Sequence, residues 1–201
     1  MRRLRPTQAE RSARTRGALL ESAARGLSRY GYSNLKLEQV ARDAGYTRGA
    51  LYHQFRDKEE LALAVLEWVD ESWRSEVGER AAQEADPVDA LIALARGHAV
   101  FCRRDIARVA MALRMEFSGR DHPIGREVDR VLETLVKRAQ RLISDGRKAG
   151  SIPPGPPARA VALAYAGALE GAVIALAGQK PHDEALAARA VAGVLGVSAD
   201  G

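Results

Sequence analysis

Apolar residues recur along the first part of the chain at the three- and four-residue spacing of amphipathic helices. The first such pattern follows a capping-box sequence that begins at Thr7, and it ends at Gly31. A second pattern covers residues 37–44 and ends at Gly45, and a third, shorter one covers residues 47–54. The spacing therefore predicts three small helices, the second and third joined by a tight turn at a glycine.

The helical spacing continues from residue 57 to the end of the chain, without the alternation that is typical of strands. The sequence SIPPGPP at residues 151–157 interrupts it, because proline is not tolerated inside a helix. Six further helices are predicted, and their starting positions are Asp57, Asp86, Asp105, Pro123, Arg159 and Asp183. The fold class expected from this pattern is all-α, with about nine helices.

The second and third predicted helices have the features of a helix-turn-helix. Ala41 lies four residues before Gly45, where only a small side chain lets two helices approach each other. The apolar residues expected to hold the two helices together are Val40, Ala44, Tyr46, Leu51 and Phe55. This arrangement leaves polar residues on the outward side of the third helix, which in this motif enters the major groove of DNA.

Thr47, Arg48 and Gly49 begin the outward side of the third helix and are the candidates for contacts to bases. Arg48 can donate two hydrogen bonds to a guanine, which is worth roughly 1–3 kcal/mol of discrimination. Gly49 lets the backbone approach the edge of the groove, whereas a helix-capping role alone would also explain Thr47. The candidates for phosphate contacts are Lys36, Tyr52, His53 and Lys58, each of which, taken singly, is consistent with an ordinary solvated side chain.

Composition and charge agree with a DNA-binding segment joined to a neutral body. The chain has 46% hydrophobic and 28% charged residues, which is ordinary for a globular protein. Its net charge is +5: residues 1–60 contain 13 lysines and arginines against 7 acidic residues, and the remaining 141 residues contain 18 against 19. A basic end favours a polyanionic partner, although a solvated charged face has the same composition. The single cysteine, Cys102, and the lack of an apolar signal segment favour the cytoplasm.

Residues 15–66 resemble the N-terminal DNA-binding domain of the TetR/AcrR family of transcriptional regulators. The match is densest in the segment GYTRGALYHQFRDKEEL at residues 45–61. The resemblance implies that residues 1–56 form a basic arm and a helix-turn-helix DNA-binding domain. It also implies that residues 57–201 form a helical domain that binds an effector and makes a homodimer.

The resemblance further assigns roles to single residues. It implies that Thr47, Arg48 and Gly49 meet bases and that Tyr52, His53 and Lys58 meet phosphates. Two positions depart from the family pattern: Gln54 stands where the family usually has His or Tyr, and Leu35 stands where it often has Thr. The family's hydroxyl contact to phosphate is therefore not expected at residue 35, and Lys36 is the candidate to replace it. Gln54 has no expected role.

The body of the chain has candidates for an effector pocket but no identifying motif. Glu170 stands out as a carboxylate among apolar neighbours, so we expect it to bind a cationic or hydroxylated ligand or to pair with an arginine across a dimer. The other candidates are aromatic, Met and Cys side chains, which form adaptable apolar linings: Trp68, Phe101, Cys102, Met111, Met115, Phe117 and Tyr165. The alternative for each of them is a place in the ordinary core.

Two segments rich in small residues, 160–178 and 185–196, are candidates for a homodimer interface. Helices that are apolar all round are buried in a core or against a partner, so we expect these two helices to pair with their symmetry mates in a four-helix interface. The alternative is a purely intramolecular core. The first segment is long enough for a membrane span, but its alanine and glycine content and the charge of Glu170 argue against one.

The function expected is that of a ligand-responsive repressor: a homodimer that binds a near-palindromic operator in double-stranded DNA and is released by a small-molecule effector of unidentified structure. A constitutive DNA-binding regulator or activator shares every DNA-side feature and is the alternative. An enzyme with an accessory helix-turn-helix is disfavoured, because the chain has no Gly-rich phosphate loop, HExxH or GxSxG motif. No catalytic residue, cofactor or metal is predicted: His98 and Cys102 have a chelating spacing, but no third ligand follows.

Overall fold

The computed structural model describes residues 7–176 and 178–198, and in this part of the chain it contains nine helices and no strand. The helices are α1 (Gln8–Asn34), α2 (Leu37–Asp43), α3 (Arg48–Gln54), α4 (Lys58–Trp73), α5 (Pro87–Phe101), α6 (Val109–Phe117), α7 (Pro123–Ala149), α8 (Ala158–Leu176) and α9 (His182–Leu195). α4 continues through a π-helical segment (Arg74–Gly78) into a last α-helical turn (Glu79–Ala81), and a 3-10 turn (Asp105–Arg108) precedes α6. The prediction of an all-α fold with about nine helices is confirmed for the described residues.

The chain divides into two compact units. The described part of the first unit is residues 7–69 and 108–128, which hold α1 to α3, the first part of α4, α6 and the start of α7. The second unit holds α5, α8, α9 and the rest of α4 and α7. The functional boundary predicted between residues 56 and 57 stays a prediction. By packing alone, the first unit extends beyond that point.

α1 begins where its sequence predicts, and it bends where the sequence predicts an end. The Thr7 hydroxyl accepts a hydrogen bond from the Glu10 N–H (3.2 Å), and the Glu10 carboxylate accepts one from the Thr7 N–H (2.6 Å), which completes the capping box. Gly31 has a positive φ of 73°, as expected of a helix stop. The helix nevertheless kinks there and continues for one short turn to Asn34.

α2 and α3 form the predicted helix-turn-helix. Ala41 is 1% exposed at the crossing, and its carbonyl oxygen accepts a hydrogen bond from the Tyr46 N–H (2.9 Å) across the turn. Gly45 has a φ of 78°, a conformation that favours glycine. α2 ends at Asp43, one residue earlier than predicted, because the turn already begins there.

α5, α7, α8 and α9 build the core of the second unit, with Tyr165 of α8 fully buried in it. α9 packs on both α8 and α5. Asp86 caps α5 as predicted, since its carboxylate accepts a hydrogen bond from the Val88 N–H (2.7 Å). The α-helix predicted to start at Asp105 starts later: the chain first makes the 3-10 turn and becomes α-helical only from Val109.

A buried ion pair ties the start of α9 to the segment that follows α5. The Arg103 guanidinium donates through Nε and Nη2 to the two oxygens of Asp183, at 2.8 and 2.7 Å. Asp183 is only 3% exposed. The hydrogen bonds from Arg103 lower the pKa of Asp183, so this carboxylate is charged and paired at neutral pH.

Candidate DNA-binding surface

α3 is held in place by its inward side. Leu51 is fully buried and Phe55 is 1% exposed, so this short helix packs on α1 and α2. Thr47 is the N-cap, and its hydroxyl accepts a hydrogen bond from the Ala50 N–H (3.2 Å). The helix therefore begins at Arg48, one residue later than predicted, and the Thr47 hydroxyl has a structural role within the chain.

The outward side of α3 carries the residues that the sequence predicts to meet DNA. All five of them are exposed: Thr47, Arg48, Gly49, Tyr52 and His53. Tyr52 is 42% exposed even though it is aromatic. The structure brings these five residues together on one surface, and their contact with DNA stays a prediction.

The Arg48 guanidinium lies between two neighbours on this surface. Its Nη1 is 2.9 Å from Glu38 Oε1 of α2, and its Nη2 donates to the Tyr52 hydroxyl at 3.4 Å. The guanidinium carbon is also 5.3 Å from the centre of the Tyr52 ring. The hydrogen bond to Tyr52 and the charge of Glu38 raise the pKa of Arg48. Sequence reasoning did not predict the pairing with Glu38, because it depends on how α2 and α3 cross.

Gly49 has no need within the described chain to be a glycine. Its φ is not positive, and a Cβ added to it would meet only Thr47 Oγ1 among the described residues, at 3.8 Å. Glycine inside a helix is about 0.5–1 kcal/mol less favourable than alanine. The bare backbone at this position leaves space for something outside the chain.

Lys58 is placed differently from the other candidates for phosphate contacts. Its ammonium group donates to the Ser33 carbonyl oxygen (3.1 Å) and lies 4.6 Å from the centre of the Tyr32 ring. Burial lowers the pKa of Lys58, and the Glu116 carboxylate partly offsets that effect. A phosphate contact by Lys58 would first require these interactions to break, whereas Lys36 is exposed at the N-cap of α2.

Glu116 of α6 explains why α1 continues beyond Gly31. Its carboxylate accepts hydrogen bonds from the N–H groups of Tyr32 (2.6 Å) and Ser33 (2.7 Å), and from the Ser33 hydroxyl. Burial alone would raise the pKa of Glu116, but these hydrogen bonds outweigh it and lower the pKa. Sequence reasoning missed Glu116, since it lies 84 positions from Tyr32 and no local pattern marks it.

Gln54, which had no expected role, joins α3 to α1. Its Nε2 donates to the Ser12 hydroxyl oxygen (3.0 Å), and its backbone carbonyl accepts a hydrogen bond from Arg16 Nη1 (3.4 Å). The Arg16 guanidinium also lies 4.5 Å from the centre of the Phe55 ring. The last turn of α3 is therefore fixed to the early part of α1 by polar contacts in addition to the apolar anchors.

Comparison with known proteins assigns the domain that carries this surface to a family. Residues 19–65 match the family described as bacterial regulatory proteins, tetR family. The N-terminal domain belongs to the TetR family. The matched residues include α2, α3 and the turn between them, which together form the exposed surface described above.

Curated relatives support the same assignment. The HTH-type transcriptional regulator CymR of Pseudomonas putida is 43% identical over 67 residues, which are 33% of this chain and 33% of that protein. The A-factor receptor protein of Streptomyces griseus is 29% identical over 136 residues, which are 65% of this chain and 47% of that protein. The chain thus spans between a third and a half of the length of these two relatives.

Solved structures resemble the fold over most of the chain. The complex of AibR with isovaleryl coenzyme A and operator DNA has a TM-score of 0.73 and 22% identity, covering 92% of this chain and all of that one (100%). The complex of FadR from Bacillus subtilis with stearoyl-CoA has a TM-score of 0.74 and 16% identity, covering 89% and 97%. At 22% and 16% identity these two structures show that the fold is similar, and nothing beyond the fold.

The structure distributes the predicted effector residues over both units and several environments. Phe101, Cys102, Phe117 and Tyr165 are buried, and the Tyr165 hydroxyl donates to the Leu91 carbonyl oxygen at 2.7 Å. Trp68, Met111 and Glu170 are partly buried. Met115 is 77% exposed, which is not the environment expected of a pocket lining, because its helix turns this side chain to the surface. Trp68, Met111, Met115 and Phe117 belong to the first unit and the other four to the second.

Two further features bear on ligand binding. A groove of about 480 Å³ lies between α1 and α2, beside Lys36, Tyr30 and Gln39, and no predicted effector residue lines it. In the second unit, His98 Nδ1 accepts a hydrogen bond from Trp73 Nε1 (3.0 Å), and burial lowers the pKa of His98 to about 4, so the ring is neutral. Its Nε2 is 3.5 Å from Cys102 Sγ. No group of three or more potential metal ligands occurs among the described residues.

Proposed function

We propose that the chain is a homodimeric transcriptional repressor that binds a near-palindromic DNA operator and is released by a small-molecule effector. The observation that supports DNA binding most directly is the outward side of α3. Thr47, Arg48 and Gly49 are exposed there, on a helix whose opposite side is anchored by buried residues. The TetR-family domain that contains them supports the same partner.

In this proposal the residues of the surface divide the work of binding. Arg48 donates to a guanine, and the DNA competes with Glu38 for its guanidinium. Gly49 lets the α3 backbone approach the base edges. Tyr52 and His53 donate to phosphates at the rim of the groove, and Lys36 adds a charge at the start of α2. Lys58 donates to the Ser33 carbonyl oxygen and lies over the Tyr32 ring, so it joins the start of α4 to the end of α1. It contacts a phosphate only when these interactions break.

Homodimerisation through α8 and α9 is supported by the faces that these helices leave exposed. Leu163 and Ile174 of α8 are 50% and 64% exposed, and Leu186 of α9 is 39% exposed. Between them lie Gly167 and Gly171, where an added Cβ would meet nothing within 4 Å among the described residues. An exposed apolar face that continues over two packed helices fits a second copy of the same helices.

α8 is also long and apolar enough for a membrane span, judged by length and composition alone. A helix at a soluble interface meets the same criteria, and α8 packs on α9, whose exposed side also carries Arg189. We therefore assign the face to a second copy and place the protein in the cytoplasm with its DNA. Size-exclusion chromatography with light scattering tests this: the proposal expects twice the chain mass of 21.7 kDa, and the chain mass alone for Ile174→Arg.

Release by an effector requires that the effector binds the DNA-competent and DNA-incompetent conformations with different affinity. The buried Phe101 and the partly buried Glu170 are the candidates in the second unit, and Phe117 and Met111 are those in the first. Two structural neighbours are named as complexes with CoA thioesters, so acyl-CoA compounds come first in a screen for release. The buried hydrogen bond of Tyr165 favours the second candidate, a regulator with a filled core that needs no ligand.

The test of the DNA proposal begins with selection of binding sites from a random duplex library by the wild-type protein. Affinity for the selected duplex is then measured by fluorescence anisotropy for the wild type, Arg48→Ala and a control on α1, Arg25→Ala. We expect Arg48→Ala to lose the preference for the selected duplex and the control to keep it. The logarithm of affinity should also fall steeply with the logarithm of salt concentration. No selected sequence, or a flat salt dependence, contradicts the proposal.

A further inference from the structure

The positive charge of the N-terminal domain is concentrated before the helix-turn-helix. Residues 1–20 contain six arginines and one glutamate, whereas residues 21–60 contain seven basic residues against six acidic ones. The single glutamate, Glu10, is engaged in the capping box, where its carboxylate accepts a hydrogen bond from the Thr7 N–H at 2.6 Å. Most of the basic surplus therefore lies on the first part of α1 and on the residues before it.

The first part of α1 has no packing reason of its own to be helical. α1 begins at Gln8, but the first fully buried side chain on it is Leu19. Residues 8–14 are all exposed. This exposed segment is therefore stabilised by its cap and by polar contacts at its surface, and its remaining side chains are free to face a partner.

Polar contacts fix this segment beside the last turn of α3. Ser12 accepts a hydrogen bond from Gln54 Nε2, and Arg16 donates to the Gln54 carbonyl oxygen, at 3.0 and 3.4 Å. Ser12 and Arg16 are four residues apart and share one side of α1, which faces α3. Gln54 is the last residue of α3, at the end opposite Arg48. The segment therefore extends the surface beyond the far end of the helix assigned to the groove.

Two arginines stand on this segment, away from the side that contacts α3. Arg11 and Arg14 are three residues apart, which places them on the same side of the helix. Both are exposed, and within the described part of the chain neither guanidinium pairs with a carboxylate. An arginine guanidinium presents several N–H donors that suit phosphate oxygens.

We propose that Arg11 and Arg14 bind DNA phosphates that flank the base pairs contacted by α3, and so add a sequence-independent contact outside the groove to those of Tyr52, His53 and Lys36. The inference rests on the proposed function in one respect, that α3 binds duplex DNA. The N-terminal end of α3 then lies over the bases. The contact between Ser12 and Gln54 places the first part of α1 beside the phosphates that flank those base pairs. Arg11 and Arg14 set affinity and the length of the footprint, whereas Arg48 sets sequence preference.

The test compares two double variants that remove the same charge from the same side of α1. Arg11→Ala with Arg14→Ala removes the proposed contacts. Arg25→Ala with Arg29→Ala is the control: its nearer residue, Arg25, lies 11 residues beyond Arg14, which is about 16.5 Å of helix. At 0.15 M salt the Debye length is about 8 Å, so the control charges are largely screened from the DNA. Circular dichroism checks that both variants keep the wild-type helix content.

Affinity is measured by anisotropy with two probes, the selected duplex and a random-sequence 40-base-pair duplex, between 50 and 200 mM salt. We expect the Arg11/Arg14 variant to bind both probes roughly tenfold more weakly or worse, with a salt slope that is smaller by roughly 0.9 for each arginine–phosphate interaction removed. The Arg25/Arg29 control should stay within about twofold of the wild type. Removing base pairs outside the half-sites should weaken the wild type and leave the Arg11/Arg14 variant unchanged.

Equal behaviour of the two double variants would overturn the inference, as would a wild type that is insensitive to removal of the flanking base pairs. Weaker binding of the Arg11/Arg14 variant to the selected duplex alone would also overturn it, since a phosphate contact acts on every sequence. Failure of the proposed function looks different, because the wild type itself would then select no duplex and show no salt dependence. Arg11→Lys with Arg14→Lys keeps the charge and should retain most of the affinity.

Discussion

Replacement of Gly49 by alanine separates the stability of the chain from its binding of DNA. The new Cβ would lie 3.8 Å from Thr47 Oγ1, which is an ordinary contact, and the backbone there is already helical without a positive φ. Alanine is about 0.5–1 kcal/mol more favourable than glycine inside a helix. Because Gly49 is only the second residue of α3, we expect the lower end of that range and a Tm that rises by about 1–3 °C.

The same methyl group stands on the surface proposed to meet the bases, where it would keep the α3 backbone from the groove edge. We therefore expect Gly49→Ala to unfold at a higher temperature and yet to bind the selected duplex roughly tenfold more weakly or worse. Differential scanning fluorimetry and anisotropy on the same preparations measure the two effects. Gly17→Ala is the matched control, since an added Cβ there also meets nothing within 4 Å among the described residues. A Gly49→Ala protein with wild-type affinity would refute the assignment of this space to DNA.

Glu38→Gln removes the charge partner of Arg48 and one negative charge from the surface. We therefore expect roughly two- to fivefold tighter binding to a random duplex, measured by anisotropy. Unchanged affinity would show that the pair does not compete with DNA. Glu116→Gln leaves an N–H group of Tyr32 or Ser33 without its carboxylate acceptor. Calorimetry should then show a Tm lower by roughly 2–6 °C. An unchanged Tm would mean that the kink in α1 does not depend on the Glu116 carboxylate. Asp183→Asn breaks the bidentate pair with Arg103 and should lower Tm by roughly 3–8 °C at pH 7. Because Arg103 lowers the pKa of Asp183, this stabilisation is complete above the ordinary carboxyl pKa and is lost as pH falls through the lowered value; a Tm difference from the wild type that does not shrink in acid contradicts it.

Local signals were sufficient for two helix starts and for the turn of the helix-turn-helix. The capping box at Thr7, the turn at Gly45 and the cap at Asp86 each depend on neighbours within a few residues, so the sequence shows them directly. The same dependence on local signals made the prediction at Asp105 wrong, because the α-helix there begins only at Val109. An acidic residue is typical of a helix start, but whether the first turn is 3-10 or α-helical depends on packing that a short window does not contain.

The contacts that govern the DNA-binding surface are mostly distant in sequence. Gln54 meets Ser12 across 42 positions, and Glu116 meets Ser33 across 83. Neither pair has a spacing or composition that marks it, because both result from the way α1 packs against other helices. The predicted effector residues show the same limit: Tyr165 and Met115 are both ordinary pocket residues by type, yet one is fully buried and the other is 77% exposed.

On α3, the side chains that hold the helix are different from those that face outward. Leu51, Gln54 and Phe55 make the internal contacts, so exchanges at the outward positions leave the attachment of the helix unchanged. Apart from Thr47, whose hydroxyl caps the helix, these positions can therefore be exchanged in evolution or in redesign with little change in thermal stability. Replacement of Arg48 affects binding instead, because it leaves Glu38 facing the polyanion without its cation. Positions 38 and 48 should consequently be exchanged as a pair when the protein is retargeted to a new site.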